Sequence, residues 1–390
     1  MKGIVGLLAS IVLAMLSWGV YGPVLRQGQL DMHGSSLRPF ICVGLAYFLI
    51  AVLAPAILLR VSGEVGRWSS QGIFWSLAAG AAGALGALGI ILALAFRGSP
   101  VYVMPLVFGC APVVNTFLTM YWSRSYKQIN AFFAAGLILV VVGAVTVMLS
   151  RPHPPSAAET KKIEVTENAE GVSVDVTEED GTPPVHYHAA SLAELESEHP
   201  EAFKFYREHK QHARLTAREF FFVILFTAMT AICWGVYGPT LHRGQMAMAG
   251  SRLRPFMCVG LAYFLIAVIV PILLLARWQE PGDFTPSGSI WSFLGGAAGA
   301  AGALGIIMAF TFGGRPIFVM PLVFGGAPVI NTFVSVLQAG NYDQLHLMFF
   351  AGLLVVIAGA VTVLVFAPKA APHVPHAPAH EPVAEPAPAK

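Results

Sequence analysis

The chain has 390 residues, 56% of them hydrophobic and 11% charged, with a net charge of +2. A soluble domain carries about 25% charged residues, so the composition excludes a typical cytosolic enzyme, and the small net charge excludes a basic nucleic-acid binder. Fourteen of the 21 acids lie between Glu159 and Glu219. What remains is a series of apolar runs of roughly 20 residues, the length that a hydrocarbon core of ~30 Å demands of a spanning helix. The chain reads as a polytopic, all-α integral membrane protein.

The first apolar run follows Met1-Lys2-Gly3 directly and reaches Trp18. It is too long for a signal-peptide core, and no small-residue cleavage site follows it, so it is expected to be an uncleaved first span. Five spans are predicted over residues 3–22, 39–59, 73–96, 100–122 and 130–150. A hydrophilic stretch follows, and then five more spans over 219–238, 255–275, 289–312, 316–338 and 346–366. The four cysteines, Cys42, Cys110, Cys233 and Cys258, all fall inside apolar runs and show no metal-ligand spacing; they are expected to be buried thiols.

The second set of spans repeats the first. Trp18-Gly19-Val20-Tyr21-Gly22-Pro23 recurs as Trp234-Gly235-Val236-Tyr237-Gly238-Pro239, and Arg38-Pro39-Phe40 as Arg254-Pro255-Phe256. Met104–Gly109 recurs as Met320–Gly325, always at an offset of 216 and without a gap. The chain is a tandem duplication, divided as a first repeat (1–150), an external linker (151–218), a second repeat (219–367) and a Pro/Ala-rich cytoplasmic tail (368–390).

An odd number of spans per repeat makes the second copy enter the membrane from the opposite side, as in inverted-repeat transporters. Loop charges point the same way, because Lys and Arg collect in short cytoplasmic loops. With the N-terminus inside, the first copy places Lys2, Arg60, Arg67, Arg124 and Lys127 inside; the second places Arg243, Arg252, Arg254, Arg315 and Lys369 there. The expectation is ten spans in a plasma or inner membrane, with both termini cytoplasmic.

Within the linker, Pro152 to Pro184 is rich in Pro, Glu and Thr, which predicts a partly disordered segment too polar to bury a core. Leu192, Leu195, Phe203, Tyr206 and Leu215 then suggest an amphipathic helix leading into the sixth span. Histidines 186, 188, 199, 209 and 212 are spaced too irregularly to define a metal site, and neither a metal nor a cofactor is expected.

The spans contain no Asp, Glu, Lys or Arg far from their ends, although ionisable groups within a span would mark an ion path. No Ser/His/Asp set, H-E-x-x-H or phosphate-binding loop occurs either, so an enzyme is not expected. The informative residues are polar and aromatic pairs. Pro105 and Pro112 share a face of the fourth span with Asn115 and Thr116, and Pro321, Pro328, Asn331 and Thr332 repeat the pattern in the ninth. Each proline removes a backbone donor, so both helices are expected to break near a midplane site.

Trp18 and Tyr21 in the first span, with Trp234 and Tyr237 in the sixth, share a helical face; they serve either as a lining for ring-bearing solutes or as interfacial anchors. The third span carries Ala79, Gly83 and Ala87 at four-residue spacing, and the eighth Gly295, Gly299 and Ala303, a small-residue pattern for close helix packing. Arg38 and Arg254, at the starts of the second and seventh spans, are headgroup anchors or one half of a gate.

With its Gly/Ala-rich third span, the Ala111-Pro112-Val113 and Ala327-Pro328-Val329 motifs and Gly136 and Gly143 in the fifth span, the chain resembles the ten-helix drug/metabolite transporter superfamily of the EamA-like type. The Trp-Gly pairs look like its sugar-permease branch. The resemblance implies permeation of a small-molecule solute by alternating access through a cavity between the repeats. Trp18, Tyr21, Trp234 and Tyr237 would stack on the solute, and Asn115, Thr116, Asn331 and Thr332 would hydrogen-bond it. A charge-free lining favours a neutral or zwitterionic polar metabolite. The alternatives are an exporter or flippase of amphipathic compounds, and a non-transporting sensor or assembly protein acting through the linker.

Overall fold

The structure is a computed structural model that describes residues 2–96, 100–123, 130–150, 161–168, 171–178, 185–203, 205–206, 216–277, 280–339 and 347–366. The first repeat comprises α1 (Lys2–Asp31), α2 (Leu37–Val61), α3 (Ser70–Ala95), α4 (Pro100–Ser123) and α5 (Ala131–Leu149). The second comprises α6 (Ala217–Ala247), α7 (Leu253–Arg277), α8 (Pro286–Thr311), α9 (Pro316–Ala339) and α10 (Leu347–Phe366). Among the described residues seven of these helices are long and apolar enough to cross a membrane, and shorter apolar stretches occupy α4, α5 and α10. The membrane part is all-α.

Side-chain chemistry sets the helix ends. Thr216 accepts from the Glu219 amide while Glu219 reaches back to Thr216, a capping box that starts α6. Asn130 and Thr285 cap α5 and α8 in the same sense. α1 and α6 run through Pro23 and Pro239 to Asp31 and Ala247, well past their expected ends.

The expected breaks at Pro105, Pro112, Pro321 and Pro328 do not occur: α4 and α9 are continuous through them. A proline deletes one helical bond, and the turns on either side can keep theirs, so the chain bends without stopping. The irregularity lies instead in α2 and α7, where Phe48–Leu53 and Leu265–Ile269 form π-turns. Both precede a proline, Pro55 and Pro271; the Ala54 and Val270 amides bond carbonyls five residues back, at Leu49 and Leu265. The wider turn accommodates the missing proline donor.

The repeats interlock. α1 packs along α8 and α9, while its counterpart α6 packs along α3 and α4; α2 meets α8, α7 meets α3, and α5 pairs with α10. The glycines of α3 and α8 make this approach possible. A Cβ at Gly80 would lie 2.7 Å from the Val259 backbone, and one at Gly296 would lie 2.6 Å from that of Val43. The four cysteines are free; Cys42 and Cys258 are buried as expected, whereas Cys110 is exposed on α4.

The linker departs from expectation. Lys161–Asn168, Gly171–Glu178 and Val185–Ala189 form an antiparallel sheet in the order β1-β2-β3. Val172, Val174 and Val176 alternate onto one face of β2 and pack with Ala189, Leu195, Ala202 and Tyr206. A polar composition therefore buries a small core after all, because the few apolar residues fall on the two-residue period of one strand face. Of the expected amphipathic helix, Leu192–Glu198 is helical and its Leu195 covers the sheet, and residues 200–203 and 205–206 are helical as well; residues 207–215 lie outside the described residues. Val174→Asp is expected to abolish protection of the 161–189 amides in hydrogen exchange while the thermal midpoint of the membrane part stays unchanged. Loss of both together would show that the sheet supports the helices.

Candidate functional site

The aromatic residues singled out in α1 and α6 meet across the repeat interface. The Trp18 ring lies 6.0 Å from Tyr237 and 6.0 Å from Phe324, and Trp234 lies 5.9 Å from Phe108 and 6.4 Å from Phe324. Tyr47 and Tyr263 stack at 3.8 Å with parallel planes, beside the Phe48–Phe264 pair. Each of Trp18/Trp234, Tyr47/Tyr263, Phe48/Phe264 and Phe108/Phe324 is one position in the two repeats, related by the offset of 216. The aromatic centre thus lies where the two copies meet. Tyr237 is buried within it, and Tyr21 packs against the same core.

Both indoles are seated in the partner repeat, with their N–H groups satisfied by backbone. Trp18 Nε1 donates to Gly299 O at 3.1 Å, and Trp234 Nε1 to Gly83 O at 3.2 Å. A Cβ at Gly302 would lie 2.1 Å from Trp18, and one at Gly86 would lie 2.2 Å from Trp234. The small residues of α3 and α8 are therefore sockets for the other repeat's tryptophans.

The polar candidates divide. Asn115 is fully buried, and its Nδ2 donates to Pro316 O across the repeats at 2.9 Å. Its Oδ1 has no partner, and neither has Thr116 Oγ1 or Tyr237 Oη. Thr332 Oγ1 bonds back to Pro328 O at 2.9 Å within its own helix. Asn331 lies against Gly22, where a Cβ would stand 2.5 Å from its Nδ2. Pro112, Pro321 and Pro328 are buried in their helices; the side chain of Pro105 lies outside the described residues. α6 packs Gly235 against Val114 and the Ala111 carbonyl of α4, and α4, α6 and α9 converge there.

Arg38 and Arg254 have partners that the sequence reading did not name. Glu64 accepts from Ser251 Oγ at 2.7 Å, from the Arg252 amide at 2.8 Å and from the Leu253 amide at 3.3 Å, and it pairs with Arg254 Nη1 at 3.4 Å. Glu280, its equivalent, accepts from Ser35 Oγ at 2.6 Å, from the Ser36 amide at 2.9 Å and from the Leu37 amide at 3.1 Å, and it pairs with Arg38 Nη1 at 3.5 Å. Each carboxylate caps the first turn of a helix in the other repeat, where free N–H groups and the helix dipole favour an anion. Burial alone would raise the Glu64 carboxyl, but Ser251, the Arg252 and Leu253 amides and the Arg252 guanidinium together hold it below its ordinary value.

The loops that carry these acids turn through glycines in the left-handed region, Gly66 (φ +132°) and Gly282 (φ +93°). A Cβ at Gly66 would meet Ser251 at 2.7 Å, and one at Gly282 would meet the Met32 carbonyl at 2.3 Å. Each arginine also lies 5.9 Å from a ring centroid, Arg38 over Phe284 and Arg254 over Trp68.

In the linker, His186 Nδ1 lies 2.6 Å from Asp175 Oδ1, and His188 Nδ1 lies 3.0 Å from Ser173 Oγ. His209 and His212 lie outside the described residues. Among the described residues no three His, Cys, Asp or Glu side chains converge as metal ligands.

The fold and its apolar helices define an all-α integral membrane protein. No protein-family model and no curated protein matches the chain. A solved structure, described only as the crystal structure of a protein, is similar with a TM-score of 0.57 at 14% identity, over 92% of this chain and 96% of that one. At that identity the likeness concerns the fold alone.

Proposed function

We propose that the chain is a ten-span permease of two inverted five-helix repeats, which moves a small neutral or zwitterionic polar solute, sugar-like or similar, by alternating access. The observation that carries this reading is the repeat interface itself. There the aromatic rings of Trp18, Trp234, Phe108 and Phe324 meet, and the helices that meet there also hold buried polar atoms without partners, Asn115 Oδ1 and Thr116 Oγ1 on α4 and Tyr237 Oη on α6. Buried polar atoms without partners cost free energy, and a solute hydroxyl or amine would relieve that cost at this locality. No charged residue falls in the middle of a predicted span, which disfavours a strong ion as cargo.

The two Glu clasps support inversion. Glu64 lies between α2 and α3 and touches the turn between α6 and α7; Glu280 lies between α7 and α8 and touches the turn between α1 and α2. If α2 and α7 each cross the bilayer, the two clasps lie on opposite faces. The α1–α2 and α6–α7 turns, equivalent in sequence, then face opposite sides, in agreement with the loop charges. The resemblance to the drug/metabolite transporter superfamily points the same way.

The test is ligand-induced stabilisation of the purified protein by sugars, nucleosides, amino acids and lipophilic compounds, followed by uptake into proteoliposomes. A ligand at about 100 times its dissociation constant should stabilise the fold by roughly 2.7 kcal/mol. Stabilisation and uptake confined to one neutral polar class are expected, with Trp18→Ala and Trp234→Ala reducing uptake at least tenfold. A response confined to lipophilic compounds would replace this reading with an amphipath exporter. The folded core of the linker favours a second role, the binding of a protein partner. Removal of residues 152–190 should then abolish partner capture and leave uptake intact.

A further inference from the structure

Most cross-repeat contacts come in equivalent pairs. Gly19 faces Ile330 and the Ala327 carbonyl as Gly235 faces Val114 and the Ala111 carbonyl; Gly28 faces Ser292 as Gly244 faces Ser76. The tryptophan sockets and the Glu clasps obey the same relation. Among the described residues the equivalence fails most plainly in the N-terminal halves of α4 and α9, although Met104–Gly109 and Met320–Gly325 are identical in sequence.

There α9 is wedged into the protein and α4 stands off. Leu322 is 5% exposed, whereas Leu106, its equivalent, is 47% exposed. A Cβ at Gly325 would lie 2.1 Å from Val140 of α5, while one at Gly109 would come no nearer than 3.6 Å, to Val141 of its own repeat. Gly238 faces Met320, but Gly22 faces Asn331 and not Met104. The two asparagines follow this difference. Asn115 Nδ2 donates to the Pro316 carbonyl at the start of the wedged helix; Asn331 rests against Gly22, without a partner among the described residues.

Identical sequences in unequal positions identify two packings available to one element. We infer that Asn115 and Asn331 are alternating latches: Asn115 holds the start of α9 in the wedge position seen here, and Asn331 takes the reciprocal bond to the Pro100 carbonyl when α4 wedges and α9 withdraws. The inference deepens the transport reading and rests on it. It gives the two amides a positioning role, with Asn115 Oδ1 still open to a ligand. One such bond is sufficient to shift a two-state ratio about fivefold.

Two cysteine pairs read the two states in the full-length protein, with the four native cysteines replaced and a protease site in the linker. Val140→Cys with Gly325→Cys reports the present state; the Cβ of Val140 would lie 3.5 Å from one at Gly325, within disulfide reach. Gly109→Cys with Val356→Cys is the equivalent pair for the swapped state. After oxidation in native membranes and cleavage of the linker, each disulfide keeps the halves together on a gel, and no solute is needed.

Both cross-links should form. Asn115→Ala should move the ratio about fivefold toward the Gly109–Val356 pair, and Asn331→Ala should move it about fivefold the other way. Asn115→Leu and Asn331→Leu, close in volume and without a donor, should reproduce these shifts where the alanine variants fold poorly. If both pairs cross-link but no asparagine variant changes their ratio, the latches are refuted and the two-state transport reading survives. If the Gly109–Val356 pair never forms, the swapped state does not exist, and both readings fall.

Discussion

Glu64→Ala is expected to lower the unfolding free energy by about 3 kcal/mol, the low end of what removing one member of a buried ion pair costs. The Glu64 side chain is only 5% exposed, and it answers Ser251, two backbone amides and two guanidinium groups. Its loss leaves the first turn of α7 uncapped and Arg254 buried without its counter-charge. Glu280→Ala should cost about half as much, because Glu280 is 20% exposed and pairs with one arginine where Glu64 pairs with two; Ser36 stands where the other clasp has Arg252.

The pH dependence has a defined sign. Because the folded-state carboxyl is held below its ordinary value, its stabilisation is complete above the unfolded-state value of about 4.3. It is lost as the pH falls through the lower folded value. The gap between wild type and Glu64→Gln in a denaturation series in micelles should therefore be full at pH 7 and shrink below about pH 4. A gap that is constant from pH 7 to pH 3 would show that Glu64 acts through its shape alone.

The clasps also show where sequence reasoning stopped. The apolar runs were sufficient to mark the chain as an all-α membrane protein, seven of whose described helices are long and apolar enough to cross a membrane, because each repeat is read independently of the other. Glu64 was invisible as a partner of Arg254, since the two are 190 residues apart in the chain and meet only because the repeats interlock. Arg38 and Arg254 could be suspected as gate residues, but not paired, for the same reason.

The α3 glycines were recognisable as a packing surface. That an indole from the opposite repeat fills it depends on α3 lying beside α6, which no local pattern reports. The linker sheet is a different kind of miss. The alternation of Val172, Val174 and Val176 was present in the sequence, but the acids and prolines around it dominated the composition. Prolines misled in the opposite direction: at Pro112 and Pro328 they suggested breaks in helices that are continuous, while the actual irregularity is the π-turn before Pro55 and Pro271.

The second large effect concerns the tryptophan sockets, and it should reverse sign with background. In the native protein Gly86→Ala places a methyl group 2.2 Å from the Trp234 ring. The indole must move, which forfeits its bond to Gly83 O, so a loss of about 3 kcal/mol is expected, at the upper end for overpacking. Trp234→Ala alone should cost about 3–5 kcal/mol through the cavity it leaves. In that background the three atoms nearest the new methyl, all of the indole, are gone, and alanine exceeds glycine in helix propensity by about 1 kcal/mol. Gly86→Ala should then be neutral or stabilising, a coupling of several kcal/mol between residues 148 positions apart.

Gly302→Ala with Trp18→Ala should reproduce the cycle in the other repeat, since the two sockets are equivalent. Gly3→Ala, whose Cβ would have no neighbour within 4 Å, serves as the control. If Gly86→Ala costs the same with and without Trp234, the indole does not occupy the socket in the membrane. The aromatic centre would then be a surface feature and not the joint between the repeats. If the sign reverses in both cycles, each repeat is held by a tryptophan of the other. Any movement of α4 and α9 must then take place about a centre in which both indoles remain seated.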